Sequence, residues 1–461
     1  MRCHLQILAL VLCFVQSIVG CSGGGGIPAT SVRMAAARLP TPFPTVSGPL
    51  TDDWVTQDHD FHRTGFQGQQ TGLTSATASQ LTLRWEQDLG VEIDASPIVA
   101  GGHVYVADAN GRVFSFDAAT GEENWSASVG GPVRGTPTLD GSVLLVGIHT
   151  AAAGAMVALN ATNGVMLWRT PVSAWGAVGA VRSEPLVANG IVYVGTANGD
   201  PPACNPGTVA ALTESTGSLL WSWRSAGSGM GVAVWSPISL GPNGSVLFGT
   251  GNACGSSAYA ESFIALNSVG GVLDWQSPTD MGAPDADVGG GIAEAGGLGF
   301  FTSKDGHLYA IDVANGRQVW QASLGSVGGY GSIATPATDG SNVVTQSGAL
   351  SDPTHSAVPG SMLYDFGVDG SLRWTAGPFQ DEEFSSPAIT ADVTVVGIDH
   401  TLQVRSLATG ALLWACDAGS FVYASPAVVP SGVYITTTGG KVLAFGLPAS
   451  MGLTRTRRPR R

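Results

Sequence analysis

The chain has 461 residues, with 65 glycines, 26 prolines and 12 tryptophans but only 12% charged residues. So much glycine excludes a helical bundle, and 44% hydrophobic residues exclude a disordered chain; many short strands joined by glycine-rich turns fit both figures. A formal charge of −14 argues against nucleic acid as a partner of the folded part.

In chain order, residues 1–20 read as a signal peptide: Arg2 precedes an apolar run, LQILALVLCFVQSIVG, that is short for a membrane-spanning helix. The run ends in Ile18-Val19-Gly20-Cys21, which resembles the bacterial lipobox and implies that Cys21 carries a lipid. Residues 21–50, opening with SGGGG, then form a flexible tether. In lipoprotein sorting, Ser22 in place of Asp points to the outer membrane, with the protein facing the periplasm. Beyond the signal and the lipid site, Cys204, Cys254 and Cys416 remain, and outside the cytoplasm a pair of them can be oxidised.

From Thr51 to Leu447 a repeat recurs: Ser/Thr-Pro, an apolar strand, a glycine turn, a second strand, a small-residue turn, a third strand, Thr-Gly, and a short strand ending in tryptophan. The clearest copy runs from Ser96 to Trp125, and others begin near Thr136, Glu184, Ser236, Val288, Thr335, Ser386 and Ser425. The closing tryptophans are Trp125, Trp168, Trp221, Trp275, Trp320, Trp374 and Trp414, at spacings of about 40 to 54 residues, which suit four short strands per unit. Eight starts meet only seven closures, and the missing one is Trp85 near the N-terminus. This predicts an all-β, eight-bladed β-propeller of four-stranded blades, the last blade closed by an N-terminal strand so that no sheet edge is left open. Residues 448–461, with five arginines in the last seven, read as a basic solvated tail.

The repeat resembles the PQQ-like repeat shared by quinoprotein dehydrogenases and by a non-catalytic lipoprotein of the outer-membrane β-barrel assembly machinery. The resemblance covers Trp54 to Leu447, and WVTQDHDFHRTGF (Trp54–Phe66) is similar to the family's lead-in segment. It implies a set of site residues. Arg134, in GGPVRGTP, matches an arginine that pairs with a quinone carboxylate, and Arg182 holds the same point one blade later. Asp200 matches a metal-ligating carboxylate. Trp235 matches the ring on which the quinone lies, and Asn252, in GTGN, matches a calcium or lanthanide ligand. Asp285, in APDADVGG, matches the catalytic base that also touches the metal, with Asp287 as the second carboxylate. Lys304, in SKDGHLY, matches a cation that hydrogen-bonds the quinone oxygens. Cys204 and Cys254, in turns of adjacent blades close to Asp200 and Asn252, are the expected disulfide.

The sequence also departs from the family. Pro284 replaces the tryptophan before the catalytic Asp, Ala233 replaces a threonine near the stacking tryptophan, and the vicinal cysteine pair is absent. No CxxCH haem motif occurs, so electrons would pass to a separate acceptor. Because fold does not decide function, three readings stand. One is a PQQ- and metal-dependent alcohol or polyol oxidoreductase. Another is a non-catalytic outer-membrane scaffold holding an envelope protein. The third is a degenerate quinoprotein that binds carbohydrate or peptide.

Overall fold

The structure, a computed structural model, describes residues 52–150, 154–197, 206–225, 231–252, 257–279, 286–324, 332–348, 360–380 and 384–448. Eight sheets, each with four antiparallel strands, form the eight blades of a propeller, and Phe66–Gln67 of the lead-in adds a parallel strand to blade seven. Blade one shows the plan, with strands Ile98–Ala100, His103–Ala107, Arg112–Asp117 and Glu123–Ser128 running from the axis outward. Blade eight takes three strands from the C-terminal end, and its outermost strand is Thr82–Asp88, paired antiparallel with Lys441–Gly446. The expected closure is therefore present, with Trp85 in the outer strand.

Each closing tryptophan bridges two blades. The indole N–H of Trp85 donates to the Ala118 carbonyl of blade one at 2.9 Å, Trp125 to Ala161 of blade two at 2.9 Å, and Trp168 to Glu214 of blade three at 2.7 Å. Trp221, Trp275, Trp320 and Trp374 repeat the bond onto Ser268, Val313, Val368 and Leu407. The glycine of each Thr-Gly or Asn-Gly turn has a second reason to be glycine. Gly164 and Gly217 have φ of +70° and +66°, and a Cβ at either would overlap the indole of the preceding blade, Trp125 or Trp168. The turn thus lies against the neighbouring tryptophan.

A second circuit runs round the axis through the residues that open the innermost strands. The N–H of Ser425 donates to Ser96 Oγ at 2.9 Å, Ser96 to Thr136 Oγ1 at 3.0 Å, and Thr136 to Glu184 Oε1 at 3.2 Å. On the other side Gly291 donates to Thr335, Thr335 to Ser386 and Ser386 to Ser425, at 2.9, 3.0 and 3.0 Å. This is why the blades open on Ser-Pro or Thr-Pro: one residue must offer a hydroxyl backwards and an N–H forwards. The circuit breaks between blades three and five.

The lead-in segment spans that gap and forms the hub. Its backbone carbonyls accept from successive blades: Trp54 from Val99, Val55 from Leu139, Phe61 from Leu240, His62 from Glu294, Thr64 from Thr338 and Gly65 from Ile389. The Gln67 side chain donates to Val428 of blade eight. Arg63, fully buried, serves blades three and four. It donates to Ile238 O at 2.8 and 3.2 Å, to Thr56 Oγ1 at 2.6 Å and to Gln57 O at 2.8 Å, with longer bonds of 3.4 Å to Glu184 O and Pro185 O.

One core position breaks the repeat. Opposite the closing tryptophan, the third strand carries Ser115, Ala158, Ala211, Ala265 or Ala310 in blades one to five and Asp365 in blade six. Asp365 is fully buried, and burial pushes its carboxyl up to about 7, against the pull of Arg373. Asp365→Ala, the repeat's own choice, is expected to stabilise the apo protein by about 1–2 kcal/mol, raising the calorimetric Tm by about 2 °C at neutral pH.

Candidate functional site

A cavity of about 250 Å³ lies on the axis over the hub. Its floor is Gln57 of the lead-in with Ser96, Glu184 and Ser425 of the hydroxyl circuit. Its walls come from the loops leading into the innermost strands: Asp94, Arg134, Arg182, Trp235 and Gly289, then Phe384 and Tyr423 across the opening. These loops face the side opposite the Thr-Gly turns, so they can vary without disturbing the tryptophan bridges.

Trp235 lines the cavity wall. The Arg182 guanidinium lies 5.5 Å and the Lys304 ammonium 5.8 Å from its ring centre. Lys304 is positioned by Asp287, whose Oδ2 it meets at 3.0 Å. Asn252 Oδ1 accepts the Ala286 N–H at 3.1 Å, which ties the GTGN turn to the segment carrying Asp287. Glycine lets these parts approach: a Cβ on Gly289 would overlap the indole of Trp235, and one on Gly251 would sit 3.1 Å from Asp287 Oδ1. Trp235, Arg182, Lys304, Asp287 and Asn252 therefore converge on one side of the axis.

Arg134 also lines the cavity, but its charge is already matched. It pairs with Glu92 at 2.8 Å and, more closely, with Asp94, and the Asp94 contact holds its pKa above the ordinary arginine value. His149 lies near both arginines, and burial together with Arg182 and Arg134 lowers its pKa. Asp200, Asp285, Cys21, Cys204 and Cys254 lie outside the described residues. Among the described residues no group of three or more His, Cys, Asp or Glu converges as a metal site; Asn252 and Asp287 are the expected donors that are seen.

The sequence reading did not single out the charged floor. Burial pushes the Glu184 carboxyl up to about 7, against Arg63 and the Thr136 N–H. Burial likewise pushes Asp58 up to about 6, against Arg63 and the hydroxyls of Thr335, Ser386 and Ser425. A signal for Glu184 was present in the sequence: Glu184-Pro185 stands where other blades have Ser-Pro or Thr-Pro. For a carboxyl whose folded pKa is raised, the folded state binds the extra proton, so stability falls as pH rises from about 4 through about 7. The protein is expected to melt roughly 5 °C lower at pH 8 than at pH 5 in calorimetry, and Glu184→Gln should flatten that slope.

This fold and this cavity define the class: an eight-bladed propeller of PQQ-like repeats with its site on the axis. The family profile described as outer membrane protein assembly factor BamB matches residues 70–322 and 203–357, and the chain belongs to that family. It is 26% identical over 360 residues to the outer membrane protein assembly factor BamB of Burkholderia pseudomallei, covering 76% of this chain and 83% of that one. It is 23% identical over 474 residues to a polyvinylalcohol dehydrogenase of Sphingopyxis sp., covering 86% and 71%. The crystal structure of the quinohemoprotein alcohol dehydrogenase from Comamonas testosteroni superposes with a TM-score of 0.76 at 17% identity, over 89% of this chain and 82% of that one, a likeness of fold.

Proposed function

We propose that the chain is a PQQ- and metal-dependent oxidoreductase acting on an alcohol or polyol, held in the cell envelope by a lipid on Cys21. The observation that carries this reading is the placing of Arg182 and Lys304 beside the Trp235 ring, on the wall of a closed-floored cavity, with Gly289 cleared of a side chain against the indole. A flat polycarboxylate needs an aromatic face and cations at its edge, and those residues fit it.

When bound, the quinone supplies the acceptor for the two electrons of the alcohol. Trp235 would support its plane, Arg182 would balance a carboxylate, and Lys304, steadied by Asp287, would hydrogen-bond a ring oxygen. Arg134, paired with Asp94 and Glu92, would meet a quinone carboxylate only by exchanging one of those partners. Asp285 is the proposed base for the hydroxyl proton, and Asp200, Asn252, Asp285 and Asp287 are the proposed donors to calcium or a lanthanide. The electrons would then pass to a separate acceptor.

The test is titration of the purified protein with PQQ in the presence of Ca²⁺ or a lanthanide, followed by tryptophan fluorescence and calorimetry. One PQQ per chain is expected, and no binding at micromolar PQQ would overturn the reading. A second reading, an envelope scaffold, is favoured by the match to the assembly-factor family and by the neutralised Arg134. It predicts capture of an envelope protein that Asp285→Ala and Lys304→Ala leave intact.

A further inference from the structure

The floor of the axial cavity departs from the repeat at one carboxyl. The slot that opens an innermost strand holds serine or threonine in six blades and glycine in blade five, but Glu184 in blade three. A hydroxyl in that slot accepts the N–H of the neighbouring blade, and Glu184 Oε1 does the same for Thr136 at 3.2 Å. One oxygen is enough for that task, and the carboxyl brings a second. No other residue among those described donates to Oε2, and Glu184 is buried except where it lines the cavity. Arg63, beneath the floor, does not pair with the carboxyl by contact, because it donates to the Glu184 and Pro185 carbonyls instead.

The other floor groups are donors with hydrogens to spare. Gln57 takes the Thr136 hydroxyl on its Oε1 at 3.2 Å, and its Nε2 has no acceptor among the described residues. Ser96 Oγ takes the Ser425 N–H at 2.9 Å, and its own proton likewise has no acceptor among them. Arg182, on the wall above, has no carboxylate partner among the described residues, whereas Arg134 has two. Donors converging below a cation describe the seat of an anion. Glu184 fits that seat in one protonation state only: ionised it repels an anion, neutral it is one more donor.

The charges around Glu184 favour the neutral form. Arg63 and Asp58 of the lead-in lie below it, Arg182 stands two residues before it, and the Arg134–Asp94 pair faces it from blades one and two. Lys304, across the cavity, is held by Asp287. Burial outweighs the pull of Arg63 and keeps the proton on Glu184 up to about pH 7. Asp58 lies under the floor and does not line the cavity. His149, near both wall arginines, has its pKa held below the ordinary value and so titrates lower than Glu184.

We infer that the floor seats a carboxylate pointing down the axis, with Glu184 bound to it as the neutral acid, so that an anionic ligand enters the cavity together with one proton. The inference rests on the reading above for its ligand class, a flat polycarboxylate, and adds to it a linkage to pH. The amide of Gln57, the hydroxyl of Ser96 and the acid of Glu184 donate to the carboxylate, and Arg182 balances its charge. Two ionised carboxylates in contact would repel each other strongly in so buried a place, which is why the proton must come with the ligand. Affinity is therefore full below the pKa of free Glu184 and falls as pH rises above it.

The experiment is calorimetric titration of the full-length protein with PQQ and, separately, with benzene-1,3,5-tricarboxylate, at pH 6 and pH 8. Pairs of buffers with different ionisation heats count the protons. Each ligand is expected to bind about tenfold more weakly at pH 8 than at pH 6, with about one proton taken up per ligand at pH 8. Glu184→Gln keeps an acceptor for Thr136 and a donor for the ligand, so it is expected to bind equally at both pH values with no uptake. Gln57→Ala is expected to weaken binding about fivefold at both pH values and to keep the uptake. Binding without proton uptake, or uptake that persists in Glu184→Gln, overturns the inference and leaves the quinone reading untouched. Binding of the tricarboxylate with uptake, but not of PQQ, upholds the floor and sinks the quinone reading. Absence of binding by either ligand overturns both. The proton count on the unsubstituted protein is decisive even where Glu184→Gln does not fold.

Discussion

Arg63→Met is expected to cost about 4 kcal/mol or more of stability, among the largest effects of any single change in this protein. The guanidinium makes six bonds of 2.6–3.4 Å to five residues in the lead-in and blades three and four, where the hydroxyl circuit is interrupted. Methionine fills a similar volume but leaves the carbonyls of Gln57 and Ile238 buried without their donor. It also removes the cation nearest to Asp58 and Glu184, which act on Arg63 as it acts on them. Both carboxyls should then hold their protons to higher pH, so the loss should be greater at pH 8 than at pH 5. Urea midpoints at the two pH values measure this. Arg63→Lys should rescue little, because one ammonium cannot reach acceptors spread around a planar fork.

If the proposed quinone site is real, Gly289→Ala is expected to weaken PQQ binding about a hundredfold while leaving the fold intact. The added methyl would overlap the far edge of the Trp235 indole, and Val288 and the Ile333–Ala334 backbone pack the same loop from behind. The ring must therefore tilt, carrying the stacking surface away from Arg182 and Lys304. The readouts are the PQQ dissociation constant and the tryptophan emission of the apo protein, with the melting temperature as the control. A scaffold function would be insensitive to this substitution, so the variant also separates the two readings of the protein.

The blades were legible because the repeat states its own chemistry. Thr-Gly before tryptophan marks the outer turn, and Trp85 at the wrong end of the chain marks the closure. Trp235 and Lys304 were marked in the sequence only by their match to motifs of the resembling family, and folding brings the Lys304 ammonium 5.8 Å from the Trp235 ring. Arg63, Asp58 and Glu184 were not, since nothing in the spacing of WVTQDHDFHRTGF says that it circles the axis and meets the blades in turn. Arg134 was read as a ligand-binding cation. Its partners Glu92 and Asp94 lie some forty residues earlier and reach it only across a blade boundary.

What the sequence determined by itself is therefore the ring: the number of blades, their order, the strand that closes them and the residues between blades, all of which follow from local pattern repeated eight times. The protonation of the buried carboxyls at the centre is fixed only once distant segments meet around the axis. Burial and pairing along the axis depend on residues up to a whole chain apart, as with Thr390 and Gln67 or Ser425 and Ser96.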